Sequence, residues 1–295
     1  MSLLMSGIGF GIISGAILSL SSIGFSLQFG MTNVLNLAFG MIMTLGAMTA
    51  YIVSASGGSI WVGAGVGVIV SALATLFLGT TLYRAFARRG VRPFEMAMVS
   101  LAMALIGDYS LASITHSTIY QFRFPTGSQH HFLGMVFTST ELIIIAMAIV
   151  AVALLELALH RTRLGVAIRA TSANPSLGRA SGIPTRRVVN LTWIISGAFC
   201  GLGGVALALS YQSVSFTTGT QYLPYILSVV IVAGIGSIGY AAAGAVILSL
   251  VIQIAGAYGA SSYNIVIALG VLLVALLVRP QGLFGQLFEK HEMAV

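Results

Sequence analysis

The sequence predicts an all-α, polytopic helical membrane protein forming one transmembrane domain over residues 1–295, and three observations carry that prediction. Hydrophobic side chains make up 58% of the chain and charged ones only 6%, whereas soluble globular domains carry about a quarter charged residues. Apolar runs recur along the whole length, and at roughly 20 residues per span the chain has room for about eight to ten crossings. Segments of alternating polarity, which build outer-membrane barrels, do not stand out, so helices are expected.

Taken in order, the hydrophobic segments fall at 7–27, 34–54, 60–83, 94–114, 142–159, 189–210, 226–236, 241–256 and 265–278, giving eight or nine spans, some short or re-entrant. The first begins almost at Met1 without a basic leader and is expected to stay as a span. The segments 226–236 and 241–256 are joined through Gly234, Gly236, Ser237 and Gly239. That pair fits either two crossings with a tight turn or one re-entrant hairpin.

The few charges set the sides. Of 13 Lys and Arg residues, Arg84, Arg88, Arg89 and Arg92 follow the third segment, and Arg161, Arg163, Arg169, Arg179, Arg186 and Arg187 follow the fifth. Arg279 and Lys290 follow the last. Basic residues mark the cytoplasmic side. The polar stretch 116–140, with Arg123, His116, His130 and His131, then falls outside, the carboxyl terminus is cytoplasmic and the amino terminus is expected outside. The net charge of +7 thus reads as topology and not as a nucleic-acid patch.

Several chemistries are excluded or disfavoured. The single lysine, Lys290, cannot complete a Gly-rich phosphate loop, so the chain has no ATP site of that kind. The single Cys200 rules out internal disulfides and thiolate metal clusters and is expected to act as a small hydrophobe. The histidines share their loop with no cysteine or acidic cluster, so no metal site is expected. No HExxH, nucleophile elbow or paired carboxylates at helical spacing are found, which argues against an enzyme.

Three features remain as candidates. The cytoplasmic stretch 161–188 reads as a structured coupling loop: a short helix near 164–171, Asn174 as N-cap before Pro175, a second short helix ending at Gly182, and Thr185 capping the next span. A second feature is the polar or glycine-rich pair of half-segments, with Gln28, Asn33, Asn36 and Gly40 in one and Gly234, Gly236, Ser237 and Gly239 in the other. Strong hydrogen-bonding groups at membrane depth are expected to face a cavity, a partner helix or the interface, and the glycines permit close packing or an interrupted helix. The third is Asp108, well inside the fourth segment, where an ionised carboxylate is costly. Glu95 and Glu156, near cytoplasmic ends, are expected to pair with arginines such as Arg92 and Arg161.

Four stretches in the same order resemble the permease subunits of branched-chain amino acid ABC importers and their urea and amide relatives. They are NVLNLAFGMIMTLGAMTAYIV, RLGVAIRATSANPSLGRASGIPTRRV, AGIGSIGYAAAGAVI and LLVRPQGLFG. The resemblance implies an importer built from two permease subunits, two cytoplasmic ATPases that bind the ATP, and an extracytoplasmic solute-binding protein, in the bacterial or archaeal plasma membrane and surrounded by lipid. It implies no cofactor on this chain. Carried over residue by residue, Arg169, Ala170, Asn174, Ala180, Gly182 and Ile183 would dock on the ATPase, and Asn33, Asn36, Gly40, Gly234, Gly236 and Ser237 would border the translocation path, with Asp108 beside them. The chain departs from the family pattern at Asp108-Tyr109, where a Gln-Asn-Tyr run is more familiar, and at Ala233-Gly234. Two alternatives stay open: a permease for urea, amides or another small polar solute, and an ATPase-independent channel or ion-coupled carrier using Asp108.

Overall fold

The computed structural model describes residues 3–122, 127–132, 135–234 and 238–279. The described chain is almost entirely helical: α1 (Leu3–Thr32), α2 (Phe39–Ala55), α3 (Ile60–Leu78) running through a π-helical turn at Gly79–Tyr83 into α4 (Arg84–Arg88), α5 (Pro93–Thr115), α6 (Ser139–Arg161), α7 (Arg163–Ala173), α8 (Pro175–Ala180), α9 (Thr185–Tyr211), α10 (Thr218–Ala233), α11 (Ile238–Ala255) and α12 (Asn264–Val278). Seven helical stretches are long and apolar enough to cross a membrane, and α2 and α10 are shorter apolar helices. Each of the nine expected segments coincides with one of these. Between α10 and α11 the chain breaks at Gly234, whose φ of +98° a glycine adopts without steric cost.

Many of the side chains exposed on these helices are apolar. On α6 they include Ile149, Val150, Leu154 and Leu157, and on α12 Leu273, Val274 and Leu277. Such faces suit hydrocarbon, where every backbone polar group is already satisfied within the helix.

The polar stretch between α5 and α6 contains strands that periodicity did not predict. β1 (Tyr120–Gln121) pairs antiparallel with β4 (Ser213–Val214), in register Tyr120↔Val214, and β2 (Gln129–Phe132) forms a hairpin with β3 (Met135–Thr138). Glu141 caps the start of α6, accepting from the Thr138 N–H at 2.7 Å and its hydroxyl at 2.9 Å.

The chain divides into two compact units, one gathering Leu27–Arg123 and Ala153–Leu223, the other Met1–Ser26, Phe124–Val152 and Pro224–Val295. In the first unit α2, α3 and α9 pack through small residues. A Cβ on Gly67 would collide with the Gly46 carbonyl, and Ser71 donates to the Ile42 carbonyl at 3.3 Å across the same seam. Cys200 is fully buried against this bundle, with Sγ 3.2 Å from the Phe39 carbonyl, so it is packed as a small core side chain. In the second unit α1 lies along α11, where Ser249 donates to the Gly11 carbonyl at 2.9 Å and Gln253 Nε2 to Ser14 Oγ at 2.8 Å. Side chains this small let backbones approach where no hydrophobic force drives helices together.

Candidate functional site

The first candidate is the helical pair α7–α8. Thr162 opens α7 with its hydroxyl oxygen accepting from the Gly165 N–H at 3.4 Å. Gly165 sits so close to the Leu159 backbone that no Cβ would fit there. The Arg169 guanidinium then reaches back to the Leu159 carbonyl at 2.6 Å, satisfying one of the orphan carbonyls at the end of α6 and fixing the angle between the helices. Asn174 caps α8 as expected, its Oδ1 accepting from the N–H groups of Ser176 (3.1 Å) and Leu177 (3.0 Å), with Pro175 at the first helical position. Gly182 ends the element with φ +80°.

Ile168, Thr171 and Gly178 are buried on the inner side of this pair, while Arg169, Asn174, Ala180 and Gly182 are exposed and Ala170 and Ile183 half-buried. Two apolar side chains that spacing did not single out also stand in solvent, Val166 (56% exposed) and Leu177 (64%). Thr185 is corrected: Pro184 occupies the cap position of α9 and makes no side-chain cap bond, and Thr185 is a buried first-turn residue. The expected arginine partners of the acids are also corrected. Glu156 pairs with His160 at 3.0 Å, one helical turn along the same face, and Glu95 accepts from the Arg92 backbone N–H at 3.2 Å, closing the start of α5.

The second candidate is polar and internal. Asn33 takes a left-handed φ of +51°, ends α1 and is exposed. The irregular stretch 33–38 that follows would leave backbone groups unpaired, and side chains from α5 and from the stretch itself supply partners. The Leu37 N–H donates to Ser100 Oγ at 2.9 Å, and the Ala38 N–H donates to Asn36 Oδ1 at 3.1 Å. Asn36, 1% exposed, also accepts from the Tyr83 hydroxyl at 2.7 Å and donates to Gln28 Oε1 at 3.3 Å, and Gln28 Oε1 accepts in addition from Ser196 at 3.2 Å. The expectation for Gln28 and Asn36 thus resolves to partner helices.

Immediately beyond, α2 crosses the first turn of α10. A Cβ on Gly40 would stand 2.7 Å from Thr220 Cα and 2.9 Å from the Gly219 carbonyl, so only hydrogen fits. The Gly219 N–H donates to Thr44 Oγ1 at 2.9 Å, and the Thr220 hydroxyl donates to Asp108 Oδ2 at 2.8 Å. Asp108 is 5% exposed, and its Oδ1 is buried with no hydrogen-bond partner among the described residues. Gly40 and Asp108 are therefore brought together through α10, with Thr44 and Thr220 added to them. Gly234 lies in the other unit, and Gly236 and Ser237 lie outside the described residues.

Known proteins align with nearly the whole of this chain. The Probable branched-chain amino acid transport permease protein LivH of Methanocaldococcus jannaschii is 30% identical over 95% of this chain and 92% of its own length. The high-affinity branched-chain amino acid transport system permease proteins LivH of Escherichia coli K12 and BraD of Pseudomonas aeruginosa are each 26% identical, with 94% of both chains covered. The fold recurs in the solved structure of PsaBC from Streptococcus pneumoniae in complex with Fab, at a TM-score of 0.52 and 13% identity over 94% of each chain. The model of the family described as branched-chain amino acid transport system / permease component matches residues 7–277, and this chain belongs to that family.

Proposed function

We propose that this chain forms the translocation path of an ATP-binding-cassette importer for branched-chain or related amino acids. It works beside a second permease subunit, receives solute from an extracytoplasmic binding protein, and is driven by two cytoplasmic ATPases that carry the nucleotide. The observation that carries the reading is the α7–α8 pair. It is capped at Thr162 and Asn174, braced at Arg169 and still presents Leu177 to solvent. A loop that only oriented the chain by its arginines would need neither the caps nor an exposed leucine at the helix tip. Closure of the ATPase dimer would push this pair as a rigid body, and α9, continuous with it through Thr185, would transmit the shift into the membrane. In this reading the chain sits in the plasma membrane with its carboxyl terminus in the cytoplasm and its amino terminus outside.

Leu177→Glu in the assembled complex should abolish stimulation of ATP hydrolysis by the loaded binding protein, with membrane insertion intact. Full stimulation in that variant would overturn the docking role. A carrier that uses Asp108 without an ATPase is the second reading, favoured by the unpartnered Oδ1 alone. It predicts solute flux through the purified chain in liposomes, with or without a proton gradient and with no ATPase present.

A further inference from the structure

Four acidic side chains lie among the described residues of the helices, and three of them are committed to local structure. Glu95 holds the start of α5, Glu141 the start of α6, and Glu156 faces His160 one turn away. Asp108 differs on each count. It sits seven residues inside α5 from Thr115, about 10 Å along the axis at 1.5 Å per residue. It is 5% exposed, has one oxygen bound by Thr220, and has its other oxygen buried without a donor among the described residues. The nearest basic residue toward the start of α5 is Arg92, at its cap about 24 Å away along the axis, and His116 caps the opposite end about 12 Å away. A buried carboxylate lacking a counter-charge costs several kcal/mol, and the described residues supply only partial relief through the Thr220 hydroxyl and the first turn of α10.

We infer that Asp108 Oδ1 is a recognition point for the positively charged ammonium group of the solute, which brings a counter-charge that none of the described residues supplies. The surroundings suit such a cargo. The Gly40–Gly219 crossing and the Thr44 bond to the Gly219 N–H hold the first turn of α10, and so Thr220, in place. One position before Asp108, Met41 lies over Gly107, close enough that a Cβ there would meet its Sδ at 2.7 Å. An unbranched thioether side chain can change rotamer to admit a ligand and then pack against an aliphatic body. A carboxyl group and, at the preceding helix position, an adaptable apolar side chain match a solute that joins an ammonium to a branched hydrocarbon. The identity of that solute as an amino acid rests on the importer reading.

Asp108→Asn keeps the shape of the side chain and an acceptor for Thr220 while removing the charge. In proteoliposomes holding the complete transporter, this variant should lower ATP-driven leucine uptake at least about tenfold. A second measurement needs only the purified chain: labelling of Asp108 by a hydrophobic carbodiimide, read by mass spectrometry. Leucinamide, which has the ammonium and no carboxylate, should slow the labelling severalfold, and 4-methylpentanoate, with the carboxylate alone, should not. Wild-type leucine uptake by Asp108→Asn, or equal effects of the two probes, overturns the assignment. Failure of the wild-type complex to take up leucine with ATP would instead sink the importer reading, and the labelling measurement would still decide the role of Asp108.

Discussion

Two polar regions of this protein are built on opposite plans. In α7–α8 the bonds are local: Thr162 to Gly165, Asn174 to Ser176 and Leu177, Arg169 back to Leu159. At the α2–α5–α10 crossing, the Asp108–Thr220 bond spans 112 positions and the Thr44–Gly219 bond 175. The first region keeps its shape from within and can move as a piece. The second exists only while three helices hold their mutual positions, so any motion of one helix is felt at the Asp108 carboxylate. In the proposed importer, that would be the division of labour between a lever and the place where the lever acts.

The sharpest way to break this contrast is to separate the helices at the crossing. Gly40→Val should destabilise the protein by about 1–3 kcal/mol through overpacking against Thr220 and Gly219, visible as a lowered melting temperature in detergent. A wild-type melting curve would mean that α2 and α10 are free to part. Asn174→Ala should remove about 1 kcal/mol from the α8 cap. The effect should stay local, so that amide exchange speeds up in 175–180 while the global melt is unchanged. Spread of the exchange into α9 would count against a self-contained hairpin. Tyr83→Phe deletes one 2.7 Å bond to Asn36, which still holds the Ala38 N–H, and about 0.6 kcal/mol is typical for such a bond within a bilayer. Its melting point should fall slightly, with insertion intact. Smallest of all, Glu156→Gln removes a largely exposed pair with His160 and should leave stability unaltered.

The same division explains what could be read from the chain before its structure. Spans and caps are written within a few residues of where they act, which is why the nine segments and the Asn174-Pro175 start of α8 coincide with helices. Thr185 misled because a hydroxyl after a proline looks like a cap from sequence, while the backbone places Pro184 at that position. Two-residue strands such as Tyr120–Gln121 are too short to show alternation, and their partner lies near 213. Asp108 stood out as a charge at membrane depth, but nothing around it identified Thr220. Tyr83, Ser100 and Ser196 escaped notice for the same reason, since a tyrosine or serine in an apolar run acquires meaning only from what the fold sets opposite it.

The irregular stretch 33–38 also bears on how the chain is made. Its Leu37 N–H finds Ser100 Oγ only after a further 63 residues have been synthesised, about 3–13 s at ordinary rates of translation. Until then this backbone group has no partner from α5, and hydrocarbon offers none. The pairing of this stretch is therefore completed only when α5 is made, so that one serine ties the final seating of the first two helices to a later part of the chain.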